Sequence, residues 1–162
     1  MNITQNLTTV NRTIYTDRKI EYLVIHYFGA LGSAENTCAY FKSVNRHASA
    51  HYFVDDAGIW QAVEDKNAAW HCGDKGIGEY KNKCSNSNSI GIEVRPYKVN
   101  TSTMSAYNTD WYFTDKTVEN LTELVKFLMD KHGIDTDHII RHYDVTHKIC
   151  PRPWLGDDAN TY

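Results

Sequence analysis

The sequence predicts a mixed α/β (α+β) fold, a central mixed β-sheet flanked by helices, and three features carry that expectation. Residues 22–25 (YLVI) form an unbroken apolar run with β-branched members, the pattern of a buried strand. Residues 89–94 (SIGIEV) alternate, which puts Ile90, Ile92 and Val94 on one face and Gly91 and Glu93 on the other. Residues 114–133 carry an apolar stripe of Val118, Leu121, Leu124, Val125 and Leu128 at helical spacing. Strands and helices alternate along the chain rather than clustering by type.

The remaining elements follow in order. The first stretch, to about Lys19, is polar and rich in Thr and Asn, and reads as an irregular arm. His26 falls at the end of the first buried strand, before a loop. Ser33 can cap a helix reaching about Val44, with Thr37, Tyr40, Phe41 and Val44 on its inner face. Residues 50–54 and 59–63 read as a hairpin around the turn DDAG. Residues 74–89 are a long loop rich in Gly, Lys, Asn and Ser, and residues 96–110 are again irregular. The clearest helix begins near Thr114 or Asp115 and stops at Gly133, with Lys131 and His132 in its last turn. A short strand, HIIR at 138–141, leads into HYDVTHKICPRPW at 142–154, a stretch not expected to form regular helix.

Bulk properties narrow the function classes. With 162 residues the chain is expected to be one domain, 1–162, its core over about 20–155. A net charge of −3 argues against a general nucleic-acid binder. No apolar run approaches the roughly 18 residues needed to span a bilayer. The N-terminus has neither the basic start nor the apolar middle of a secretory signal. The expectation is a protein that stays in the cytoplasm or leaves it by another route. The four cysteines, Cys38, Cys72, Cys84 and Cys150, form no CxxC pair, and Cys72 and Cys84 are expected to be free thiols.

The chemistry concentrates at strand ends. His142 and Cys150 are candidate zinc ligands on one segment, and His26 can supply a third, the number typical of catalytic zinc. Each also has an ordinary reading as a packed or exposed residue, and a buried Cys before Pro is commonly inert. Glu93 is either a solvent-facing strand residue or a carboxylate aimed across a cleft, with Gly91 leaving open space for a substrate. Lys148 is either a surface charge or, beside a metal at Cys150, an ammonium placed to stabilise an oxyanion.

The segments YLVIHYFG, ASAHYFVDDAGIWQAV, AAWHCG, NSIGIEV and IIRHYDVTHKICPRPW, in that order, resemble the zinc-dependent N-acetylmuramoyl-L-alanine amidases of the type-2 class. That family shares its fold with peptidoglycan recognition proteins, and the likeness covers most of residues 22–154. The resemblance implies one catalytic Zn2+ held by His26, His142 and Cys150, with Glu93 moving the proton of the attacking water and Lys148 holding the oxyanion. It implies that Asp144 shapes its loop, and that His51, Trp70 and His71 line or support the groove. Tyr27 and Phe28 stand where many relatives have smaller or polar residues. The implied substrate is peptidoglycan, cut between N-acetylmuramic acid and L-alanine by a phage endolysin or a bacterial autolysin. The chain would then be a monomeric catalytic part with a C-terminal wall-binding module elsewhere. An endolysin would pass from the host cytoplasm to the wall through a holin-type membrane lesion; an autolysin would act at the wall after export. Three rivals stand beside this: a non-catalytic peptidoglycan-binding module, a cysteine-nucleophile peptidase using Cys150 or Cys72, and a purely structural zinc site.

Overall fold

The computed structural model describes residues 1–73 and 77–156. Residues 74–76 of the expected loop and residues 157–162 of the expected domain lie outside the described residues. The elements in chain order are β1 (Ile3–Gln5), β2 (Arg12–Thr13), β3 (Tyr22–Tyr27), α1 (Ala34–Tyr40), β4 (Tyr52–Asp55), β5 (Gly58–Gln61), β6 (Ala68–Ala69), β7 (Ser89–Val94), β8 (Tyr97–Lys98), β9 (Trp111–Tyr112), α2 (Asp115–His132), β10 (Ile139–Arg141) and α3 (His142–Thr146). Short 3-10 turns cover Thr136–His138 and Arg152–Trp154.

Six strands form the central sheet in the order β1-β5-β4-β7-β3-β10. β4, β7, β3 and β10 are mutually parallel, while β5 returns antiparallel to β4 and β1 lies parallel to β5. The sheet is therefore mixed, as expected.

Period-two alternation divides its two faces. On one face Leu23, Ile25, Tyr52, Val54, Ile59, Ile90, Ile92 and Val94 meet Leu121, Leu124 and Leu128 of α2. Thr114 caps α2 by accepting from the Thr117 N–H, and Gly133 ends it in the left-handed region at φ 67°. Both ends were legible in the sequence. On the other face, α1 covers Phe53 through Ala34 and Cys38, and Val145 of α3 packs with Val24 and Ile140. The same face of the sheet carries His26 of β3 and Glu93 of β7, aligned with each other.

Four expectations need correction. The N-terminal stretch is not a loose arm: β1 pairs with β5, β2 with β6, and Thr8 and Asn11 are fully buried. Asn11 donates to the carbonyls of Phe41 and Val44, which ends α1 early. Accordingly α1 stops at Tyr40, its buried residues are Ala34 and Cys38, and Tyr40 and Val44 are exposed. Residues 96–110 are not wholly irregular, because β8 pairs with β9 in a two-stranded ribbon. Finally, HYDVT forms the short helix α3 after all. Asp144 accepts from the Arg141 N–H at 2.8 Å and pairs with the Arg141 guanidinium, and His147 turns the chain out at φ 59°. The two prolines lie beyond that turn, so they do not oppose it.

Leu124 is wholly buried between α2 and the sheet. Leu124→Ala is expected to cost about 2–5 kcal/mol, read as a lower urea midpoint at an unchanged slope.

Candidate metal centre

The parallel register assembles the site. β3 and β7 align His26 with Glu93, and β3 and β10 align Ile25 with Arg141, so the next residue, His142, arrives beside His26. All three lie at the carboxyl ends of their strands, where open α/β sheets place ligands. Cys150 returns to them because its carbonyl accepts from the Tyr143 N–H at 2.8 Å, locking the segment after α3 onto the helix start. The peptide between Cys150 and Pro151 is cis. Arg152, buried, donates to the carbonyls of Asn108, Leu155 and Gly156 and so ties this segment to the chain leading into β9.

His26, His142 and Cys150 are all buried, and one donor atom from each lies within 4.8 Å of the others. His26 Nδ1 is 3.8 Å from Cys150 Sγ. Nitrogen and sulfur donors at usual zinc bond lengths and a tetrahedral angle stand about 3.6 Å apart. His142 Nδ1 is buried without a hydrogen-bond partner among the described residues, an orphan that a cation would satisfy. The donor set and its spacing thus fit a metal ion such as zinc.

Electrostatics favour the same reading. Burial holds the His26 imidazole well below its ordinary pKa, and neighbouring His142 adds to this. Burial, then the Lys148 charge, pushes His142 down to about 3. Both rings are therefore neutral and able to ligate near neutral pH. Burial raises the Cys150 thiol strongly, against partial opposition from the Tyr27 N–H and Lys148. A cysteine in that state is a poor free nucleophile, whereas a cation would draw off its proton.

Glu93 reaches the same face from β7. Its Oε2 is shut off from solvent and has no hydrogen-bond partner among the described residues, and burial raises the carboxyl to about 7 although Lys148 and His71 oppose the rise. Lys148 itself is exposed. It lines a pocket of about 400 Å³ with Tyr27, Phe28, Tyr107, His147 and Ile149. Tyr27 and Phe28 do form one wall of that pocket, and Tyr107, from the stretch read as irregular, adds to it. His147 stacks on Tyr143 and stands outside the donor cluster.

The space beside Glu93 is not open. A Cβ on Gly91 would come within 2.5 Å of the His71 ring, so Gly91 exists to seat that imidazole. His71 Nδ1 in turn lies 3.0 Å from His26 Nε2. His51 is a backbone brace: Gly91 N–H donates to its Nδ1, and its Nε2 meets the Asn67 carbonyl. Trp70 donates to the Thr13 hydroxyl. Cys72 and Cys84 are free thiols in contact beneath β3, and Cys72 is buried away from the pocket. Ser89 was missed in the sequence, although the same alternation that placed Glu93 puts Ser89 and Gly91 on its face.

The family model described as N-acetylmuramoyl-L-alanine amidase matches residues 16–153. The chain belongs to that family. It is 33% identical over 174 residues to the N-acetylmuramoyl-L-alanine amidase CwlL of Bacillus licheniformis, an alignment covering 97% of this chain and 44% of CwlL. The chain thus spans less than half the length of that relative. Among solved structures, PlyL superposes with a TM-score of 0.75 at 26% identity, covering 94% of this chain and 87% of PlyL. The catalytic domain of XlyA gives 0.71 at 27% identity, covering 94% and 91%. The matched span includes His26, Glu93, His142 and Cys150.

A raised carboxyl has a cost in the metal-free chain. Glu93 is protonated more readily folded, at about 7, than unfolded, at 4.5. Its contribution is therefore neutral below the unfolded value and becomes destabilising as pH rises through that window. Glu93→Gln is expected to stabilise the chelated protein by about 1–3 kcal/mol at pH 8 and hardly at all at pH 4, measured by urea unfolding at both pH values.

Proposed function

We propose that this chain is a zinc-dependent hydrolase that cuts the amide bond between N-acetylmuramic acid and L-alanine in peptidoglycan. The observation that carries the reading is the convergence of His26, His142 and Cys150 with half-buried Glu93, whose Oε2 has no hydrogen-bond partner among the described residues, in a chain of the amidase family. A binding-only module would need neither that carboxylate nor a complete donor set, so the catalytic reading is favoured.

His26, His142 and Cys150 would hold one Zn2+, leaving a position free, as catalytic sites do. When bound, the ion supplies Lewis acidity to a carbonyl oxygen and acidifies water. Glu93 takes the proton of the attacking water and returns it to the leaving amine of L-alanine. Burial raises the carboxyl in the metal-free chain, and a bound cation would draw it back toward the ionised form that accepts the water's proton. Lys148 brings a positive charge to the carbonyl oxygen as it becomes an oxyanion. Its charge opposes the raised carboxyl of Glu93 and lowers the imidazole of His142, which supports that role. The pocket walled by Tyr27, Phe28 and Tyr107 receives substrate beside Lys148.

The place of action is the bacterial wall, where an endolysin or autolysin works. No helix among the described residues is long and apolar enough to cross a membrane. The net charge of −3 offers no attraction to an anionic wall, so we assign targeting to a separate module. An isolated chain that lyses intact cells as fast as a longer form would defeat that assignment.

The deciding experiment is product analysis on purified Gram-positive peptidoglycan. New N-terminal alanine without new reducing ends, lost on chelation and regained with zinc, is the expected result. Cleavage indifferent to chelator would return the cysteine-peptidase reading, and wall binding without cleavage the recognition reading. His26→Ala, His142→Ala and Cys150→Ser should each lose the bound metal in elemental analysis. Glu93→Ala should keep it while kcat falls about 10²–10⁴-fold. Lys148→Ala should also keep it, with a fall of about 10²–10³-fold.

A further inference from the structure

We propose that His71 is a positioning residue that holds His26 in the one tautomer able to ligate. The inference rests on His26 being a metal ligand, as argued above. Its basis is a directed chain of hydrogen bonds that begins at a group with no choice of role. The Ser85 carbonyl can only accept, and Ser89 Oγ lies 2.5 Å from it. Ser89 therefore spends its single proton there. Ser89 Oγ is also 3.1 Å from His71 Nε2, and with its proton committed it must accept in that contact. His71 then carries its hydrogen on Nε2, and in the neutral ring its Nδ1 is bare. That bare nitrogen faces His26 Nε2 at 3.0 Å and accepts from it. His26 is left with Nε2 protonated and Nδ1 bare, and Nδ1 is the atom aimed at Cys150.

The His71 ring is fixed so that this direction cannot reverse by rotation. Gly91 presses on it, and a Cβ there would reach Cγ, Nδ1 and Cδ2 at 2.5, 2.7 and 2.8 Å. Its backbone is pinned by Asn86, whose Oδ1 accepts from the N–H groups of His71, Cys72 and Gly73 at 2.9, 2.9 and 3.1 Å. The ring meets His26 edge-on at 86°, the orientation in which an in-plane N–H can point at its neighbour. Most ligating histidines find a carbonyl or carboxylate for their second nitrogen. Here a second imidazole takes that part, and its own direction is set by a serine and a main-chain oxygen.

The test uses the whole chain, with nitrogen-15 imidazole spectra of the metal-free protein and zinc affinity by competition with a chromophoric chelator. Wild-type His26 should show a protonated Nε2 and a bare Nδ1. His71→Ala should show both tautomers and bind zinc about 10–100-fold more weakly. His71→Gln, which can accept from His26 and donate to Ser89, should recover most of that loss. Ser89→Ala should weaken zinc in the same direction, and its cobalt-loaded form should give an altered visible spectrum. A wild-type His26 protonated at Nδ1 would overturn the proposal whether or not any variant folds. So would His71→Ala and Ser89→Ala proteins that bind zinc within about two-fold of wild type. A wild-type chain that takes up no zinc would instead defeat the ligand set, with the tautomer spectra still deciding the relay.

Discussion

The site depends on the parallel register of three neighbouring strands. β3, flanked by β7 and β10, brings His26, Glu93 and His142 to one height at the same end of the sheet. A slip of one residue in either pairing would turn the functional side chain into the α2 core and an isoleucine or valine outward. The core itself forbids that slip. Ile90, Ile92 and Val94 of β7 and Leu23 and Ile25 of β3 are locked against Leu121, Leu124 and Leu128. The hydrophobic face is thus the ruler by which the opposite, chemical face is aligned.

On that chemical face, polar groups are buried at an energetic disadvantage and kept there by function. His26 and His142 are held neutral, the Cys150 thiol is held protonated, and Glu93 resists ionisation, all chiefly through desolvation. Each of these shifts is unfavourable to a charged form; neutral imidazoles are ready to ligate, while the Cys150 thiol must give up its proton to do so. The protein spends stability from the α2 face on a poised cluster opposite. Such a division of labour is common where a rigid sheet carries a strained or desolvated site.

Much of this could be read from residue order. The two-residue period exposed Glu93, the position of His26 after an apolar run placed it at a strand end, and the Thr114 and Gly133 caps bounded α2. What escaped was what depends on long-range partners. Nothing local says that residues 3–5 will find an edge on β5, or that Asn11 will close α1 by binding the carbonyls of Phe41 and Val44. Residues 142–154 were not expected to form regular helix, yet the Arg141–Asp144 pairing builds a helical turn at their start. Gly91 was taken as room for substrate because its missing side chain is visible in the sequence, while the His71 ring that fills the gap is 20 positions away.

The parallel seating of β1 on β5 has a further meaning for how the molecule behaves in company. β5 ends the hairpin with β4 and, uncovered, would present Ile59 and Trp60 along an unpaired row of backbone groups. Such a row invites another chain to add itself. A three-residue strand is too short to be a good template, so β1 satisfies β5 and offers little in exchange. The segment that reads as an irregular arm in the sequence thus closes the β5 side of the sheet to another chain.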